Sequence, residues 1–229
     1  MTNVLPLKSM VKICGIMDAG TLRGMKGLPT EYIGFVFAKS RRQLSPLQAA
    51  ELHNISQQIP MANGKPPLTV GVFVNPSIEQ LEETLSIVPL DVIQLHGEET
   101  PEFCREVRER FKVDVWRALP VAEGIDQTHS VQGVERLTAY KDAVSTILLD
   151  TAGGGTGKAF RWEVIPAYQE AANRNGLVLF IAGGLTPNNA DELITNYHPD
   201  GVDISSGVET DGVKDNDKIT AFVERVKSS

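Results

Sequence analysis

Two side chains of this 229-residue chain stand where a rigid scaffold could use them. Cys14 ends the apolar run Val11-Lys12-Ile13-Cys14 and is followed at once by Gly15. Asp150 ends Thr146-Ile147-Leu148-Leu149-Asp150 and leads into the glycine-rich stretch Ala152–Lys158. A thiol and a carboxyl at the carboxyl ends of parallel strands are a candidate base and acid. Strand alternation puts Lys12 on the same face as Cys14, and an ammonium there favours the thiolate. In a closed barrel the eighth strand borders the first, so Asp203 is the expected partner of Lys12. Taken singly, Cys14 is equally a small buried hydrophobe, whereas Asp150, either a solvated turn former or an acid raised by apolar walls, reads more readily as the acid.

Three glycine-bearing turns follow the last three apolar runs. They hold Gly155, Thr156 and Gly157; then Gly183 and Gly184; then Ser205, Ser206 and Gly207. Glycine lets successive backbone N–H groups approach an anion, and (β/α)8 barrels commonly bind phosphate there. Ser206 and Glu209 fit a capping box, so a short extra helix is expected to start beside this site. The same glycines could simply make tight turns. His96 ends a fourth run, and no partner cluster of metal-ligand spacing accompanies it. A polar pocket-lining role is therefore expected for it, and no metal. Arg41 and Arg42 follow the second run, where a basic loop suits an anionic substrate.

These groups need a frame. Apolar runs fall at Val11–Cys14, Tyr32–Phe37, Leu68–Val74, Val92–His96, Val113–Ala118, Thr146–Asp150, Leu177–Ala182 and Gly201–Ser205. Several are near-continuous, as in parallel strands covered on both faces. Helical spacing appears over Leu47–Ile59, Ile78–Val88, Glu102–Phe111, Arg161–Asn173, Asn189–Tyr197 and Asn216–Val226. Ser45-Pro46, Thr100-Pro101 and Thr186-Pro187 read as caps followed by proline, and Ser77 with Gln80 as a capping box. The alternation predicts an α/β protein, a single (β/α)8 TIM barrel over residues 11–229, with residues 1–10 a disordered lead-in.

The net charge of −7 argues against nucleic acid as a partner. No run reaches membrane-spanning length. The two cysteines, Cys14 and Cys104, suggest a reducing cytoplasm rather than a disulfide scaffold. No exposed apolar helix face stands out, so a monomer is expected.

At Lys12-Ile13-Cys14-Gly15, Gly34-Phe35-Val36-Phe37, Gly71-Val72-Phe73-Val74-Asn75 and Gln94-Leu95-His96-Gly97-Glu98 the chain resembles the phosphoribosylanthranilate isomerases. The likeness continues through Leu148-Leu149-Asp150-Thr151, Gly154–Gly157, Ala182–Leu185 and Val202–Glu209. Each string alone is weak; in order, one per strand, they are specific. The resemblance implies a cofactor-free barrel that takes a small phosphorylated substrate through an Amadori rearrangement in tryptophan biosynthesis. It implies Cys14 as general base, Asp150 as general acid, and Arg42 as the residue holding the anthranilate carboxylate. Arg41 is adjacent, and the short loop Phe37-Ala38-Lys39-Ser40 lacks a proline common in relatives. His96 and Asp203 are expected to line the pocket.

Three rivals differ at definite residues. A related isomerase of histidine biosynthesis resembles this barrel but uses aspartates on strands one and five. Here those positions hold Cys14 and a fifth run without a terminal acid. A pentose-phosphate epimerase needs a metal set, and a silent phosphate-ligand sensor has no use for both Cys14 and Asp150.

Overall fold

Each of the eight apolar runs forms a strand that pairs in parallel with its neighbours. They are β1 (Met10–Cys14), β2 (Tyr32–Val36), β3 (Leu68–Phe73), β4 (Val92–Leu95), β5 (Asp114–Pro120), β6 (Thr146–Asp150), β7 (Val178–Ile181) and β8 (Gly201–Ile204). β8 returns to β1, with Lys12 level with Asp203, and the sheet closes into a barrel. The computed structural model describes residues 8–121, 131–151 and 160–228. Ser9 is buried and donates its hydroxyl to Pro199 O at 2.6 Å, and Met10 opens β1. Ser9 and Met10, expected in the lead-in, are instead held by the β8 side of the barrel; residues 1–7 lie outside the described residues.

Helices follow the strands: α1 (Ala19–Gly24), α2 (Pro46–Ser56), α3 (Ile78–Ile87), α4 (Pro101–Phe111), α5 (Ile165–Asn175), α6 (Ala190–Tyr197) and α7 (Asn216–Ser228). Ser45 and Ser77 cap α2 and α3 with full capping boxes, and Thr100 caps α4 ahead of Pro101. The expected cap at Thr186 is not one. α6 starts later, at Ala190, and the Thr186 N–H donates to Asn189 Oδ1 in the preceding turn. Helix α5 begins at Ile165, after a 3₁₀ turn over Trp162–Val164, because Pro166 has no N–H and must occupy the first turn. Between β5 and β6 the described residues of the outer layer carry a 3₁₀ segment, Val134–Tyr140. No described helix is long and apolar enough to cross a membrane.

Alternation along the closed strands separates two cores. Outward residues such as Ile13, Phe35, Ile93, Leu149 and Ile181 pack beneath the helices. Inward residues Val70, Val92, Trp116, Ala118, Leu148 and Phe180 plug the barrel, with the Trp116 and Phe180 rings 4.7 Å apart. The interior is thus solid below, and chemistry is confined to the carboxyl ends of the strands.

Arg117 points outward from β5 and is 1% exposed. It donates to the carbonyl oxygens of Leu95, Gly97 and Glu99 at 3.0, 2.6 and 3.2 Å, and lies 3.3 Å from the Glu99 carboxylate. That carboxylate also accepts the N–H groups of Asn75 and Gly97, at 2.7 and 2.8 Å. One buried ion pair therefore braces the turn beyond β4, where His96 stands. Breaking such a pair leaves an uncompensated buried charge. Arg117→Met should lower unfolding stability by about 3–5 kcal/mol in urea titration. A loss near zero would show that the turn is held by other contacts.

Candidate active site

One cavity of about 320 Å³ opens at the carboxyl ends of the strands. Cys14, Asp150, Arg42, His96, Asp203, Gly183, Gly184, Ser205, Ser206 and Gly207 all line it. Ten expected site residues, spread over 194 positions of sequence, thus share one chamber. The other three, Gly155, Thr156 and Gly157, lie outside the described residues.

Asp150 is fixed from three sides. Its Oδ1 accepts the Thr151 N–H at 2.7 Å, and its Oδ2 lies 3.2 Å from His96 Nε2. The amide nitrogen of Gln94 donates to His96 Nδ1 at 2.9 Å. Nδ1 is therefore the acceptor, and the ring proton sits on Nε2, facing Asp150. Gly183 closes the third side at a φ of +79°. A Cβ there would come within 2.3 Å of Thr151 Oγ1 and 2.8 Å of Asp150 Oδ1. His96 lines the pocket as expected and gains a defined partner that its sequence position did not reveal. Among the described residues, no group of three or more potential ligands could hold a metal ion.

Beneath Cys14 lies the pairing expected from alternation: Lys12 Nζ stands 2.9 Å from Asp203 Oδ1, with Lys12 fully buried. Burial pushes the Lys12 ammonium down, but the Asp203 charge and hydrogen bond, with Cys14, outweigh it and hold the group above its ordinary value. Lys12 therefore stays charged. Cys14 behaves otherwise than the sequence suggested. Burial dominates and pushes its thiol up, and the opposing pull of Lys12 does not overcome it. The neutral thiol is therefore the favoured form. The Asp203 charge adds to burial in raising the thiol, against the charge and hydrogen bond of Lys12 and the charge of Lys214.

On the anion side, Gly183 and Gly184 both have positive φ, and Ser205 binds Cys14 O through its hydroxyl at 3.1 Å. The extra helix expected after β8 is only a 3₁₀ turn, Ser206–Val208, with no side-chain cap. Glu209 does not cap it because it is drawn elsewhere. It opens the hairpin of β9 (Glu209–Thr210) and β10 (Val213–Lys214), and its carboxylate takes Arg42 Nε at 2.6 Å and Lys214 Nζ at 2.8 Å. Arg42 lines the cavity, whereas the Arg41 side chain is 58% exposed and lies outside it. Lys214, 3% exposed at its side chain, also donates to Ser205 O at 2.8 Å. Sequence reasoning missed Glu209 and Lys214 as site residues. The only hint was a charge pair flanking a glycine turn, a pattern common on surfaces.

Fold and site together define a (β/α)8-barrel protein with an acid, a thiol and an anion-binding rim at one mouth. A family model described as N-(5'-phosphoribosyl)anthranilate isomerase matches residues 11–225. The N-(5'-phosphoribosyl)anthranilate isomerase of Brevibacillus brevis is 48% identical over 222 residues, 95% of this chain and 93% of its own length. That of Geobacillus thermodenitrificans is 36% identical, over 95% and 93%. The solved phosphoribosylanthranilate isomerase of Thermotoga maritima, described as monomers generated from a dimeric enzyme, superposes with a TM-score of 0.75. It is 35% identical, covering 96% of this chain and all of its own. A second solved isomerase, bound to reduced 1-(o-carboxyphenylamino)-1-deoxyribulose 5-phosphate, gives a TM-score of 0.74 at 33% identity, over 96% of this chain and all of its own. The chain belongs to the phosphoribosylanthranilate isomerase family.

Thiol alkylation tests the Cys14 environment directly, because only the thiolate reacts. Cys104 is buried in α4 with its thiol pushed up to about 12, so it stays silent at moderate pH. Since burial raises Cys14, the thiolate fraction grows only as pH climbs past the ordinary thiol value of about 8.5. Iodoacetamide labelling that vanishes in Cys14→Ser should therefore show an alkaline midpoint above that value. A midpoint below it would mean that the thiolate is the resting form.

Proposed function

We propose that the chain converts N-(5'-phosphoribosyl)anthranilate to 1-(2-carboxyphenylamino)-1-deoxyribulose 5-phosphate, with Asp150 as general acid and Cys14 as general base. The observation that carries the assignment of roles is the shared cavity. A carboxyl and a thiol from β6 and β1 face one chamber that also holds Arg42 and the glycine turns of β7 and β8. The substrate has a group for each: a carboxylate for Arg42, a phosphate for the turns, and a reacting sugar between them.

The reaction begins with the proton of Asp150 passing to the furanose ring oxygen. The C1′–O4′ bond breaks, its electrons stay on O4′, and the anilino lone pair forms the C1′=N⁺ iminium. Asp150 is left as a carboxylate, which the Thr151 N–H and the His96 Nε2–H are placed to stabilise. The positive iminium, with the charged Lys12 below, now offsets the cost of a buried thiolate, so Cys14 gives its thiol proton to solvent and acts as the thiolate. Its sulfur takes the C2′ proton, and the C–H electrons form the enolamine, which tautomerises to the ketone. Gln94 lines the same wall, and its Oε1 has no hydrogen-bond partner among the described residues. A sugar hydroxyl would satisfy it.

The phosphate falls to Gly183, Gly184, Ser205, Ser206 and Gly207, and Gly155, Thr156 and Gly157, outside the described residues, are proposed to share in holding it. We further propose that the chain works in the cytoplasm as a monomer. Its two cysteines are free, and its exposed large apolar side chains in helices, Leu47 and Ile87, sit on different ones. Light scattering on the purified protein should return the mass of a single chain; twice that mass would replace the monomer with a dimer.

Turnover is followed by the fluorescence loss of phosphoribosylanthranilate made in situ. Cys14→Ser and Asp150→Asn should each bind substrate yet lose on the order of 10²-fold or more in kcat, the usual contribution of a placed acid or base. Near-normal kcat in either variant removes that residue from the mechanism.

A further inference from the structure

Glu209 is the hub of the anion side. Its side chain is 4% exposed, and three cations converge on its carboxylate. Arg42 grips both oxygens, through Nε at 2.6 Å and Nη2 at 3.0 Å. Arg41 Nη2 and Lys214 Nζ add bonds at 2.5 and 2.8 Å. Burial pushes the carboxyl up, but hydrogen bonds and charge from Arg42 and Lys214 overcome it and hold it below the usual range. Glu209 is therefore a fixed anion. Three positive charges meet one negative charge, leaving two in excess beside the cavity.

Arg42 is gripped along its stem as well. Gly15 has a φ of +78°, and a Cβ there would come within 2.5 Å of Arg42 Cδ. The side chain thus runs over a groove that only glycine leaves open, then reaches Glu209. Arg42 Nη1 makes no hydrogen bond to a described residue, and Arg42 lines the cavity.

We propose that Glu209 is a positioning residue for the substrate carboxylate: by clamping Nε and Nη2 of Arg42 it fixes the plane of the guanidinium and leaves Nη1 for the ligand. This rests on the reading that Arg42 takes the anthranilate carboxylate. A bidentate clamp freezes the flexible arginine before substrate arrives, which removes an ordering cost from binding. Lys214 ties the hairpin that carries Glu209 to the backbone of Ser205, so the carboxylate end and the phosphate end of the site are set by one segment.

The opposing idea is that Glu209 merely offsets charge. The two predict opposite signs. Glu209→Gln removes a negative charge, so a charge-offset role predicts tighter anion binding and a lower KM. A positioning role predicts a KM raised about tenfold, as for loss of a charged hydrogen bond, with kcat within about twofold. Inhibition by inorganic phosphate should change little. Adding Glu209→Gln to Arg42→Ala should cost no more than Arg42→Ala alone, because the clamp acts only through Arg42. An unchanged or lower KM in Glu209→Gln, or full additivity with Arg42→Ala, overturns the proposal. If Arg42→Ala itself leaves KM unchanged, it is the carboxylate reading that fails. Should the Gln variant not fold, Glu209→Asp keeps the charge but draws it back by one methylene, and the same KM rise, confined to substrate and absent for phosphate, is required.

Discussion

Closing eight parallel strands into a cylinder allows only one face of each strand to look inward, and the interior has room for few side chains. In this chain that constraint decides which residues meet. Trp116, Phe180, Leu148, Val70 and Val92 fill the lower barrel with apolar volume. Polar side chains are thereby displaced to the upper end, where they line the single chamber that holds Cys14, Asp150, Gln94, His96 and Asp203. The plug also keeps water from reaching these groups from below. Their electrostatics are consequently those of a half-dry site rather than of a surface groove.

Charge in such a place must be matched. Lys12 is wholly buried and remains charged because Asp203 lies 2.9 Å away across the β1–β8 seam. Glu209 remains charged because three cations reach it. Cys14 shares Lys12 with Asp203, and burial together with the Asp203 charge outweighs the Lys12 pull and keeps its thiol neutral. The contrast suits its role. A thiolate neutralised in advance would be a weak base toward a sugar C–H, whereas one left when the thiol gives its proton to solvent, and stabilised by the substrate's own iminium, is formed where it is needed.

The long loops divide the labour. The β2α2 segment brings Arg42, the hairpin after β8 brings Glu209 and Lys214, and the β4α4 turn, braced by Arg117 and Glu99, presents His96 to Asp150. Arg42 and Asp150 are each held by a partner, Glu209 and His96, that does no chemistry itself. Rigidity of this kind lets a small site discriminate among anions by geometry as well as by charge.

The sequence by itself determined the barrel, its eight strands and most helix starts, because strand periodicity, Ser and Thr caps and first-turn prolines are local signals. It also determined that Lys12, Cys14 and Asp203 would meet, since alternation and closure are matters of counting. Local signals misled where a competing bond was out of sight: Thr186 gave way to Asn189 as the start of α6, and Glu209 left its apparent capping box for Arg42. Only the tertiary structure decided that Arg42 rather than Arg41 faces the cavity, that His96 serves Asp150, and that burial outweighs Lys12 in setting the Cys14 thiol. The physical reason is the same in each case. Arg42 and Glu209 are 167 residues apart, and His96 and Asp150 are 54 apart. The energy of a charge or a proton depends on distances and burial that a linear spacing does not carry.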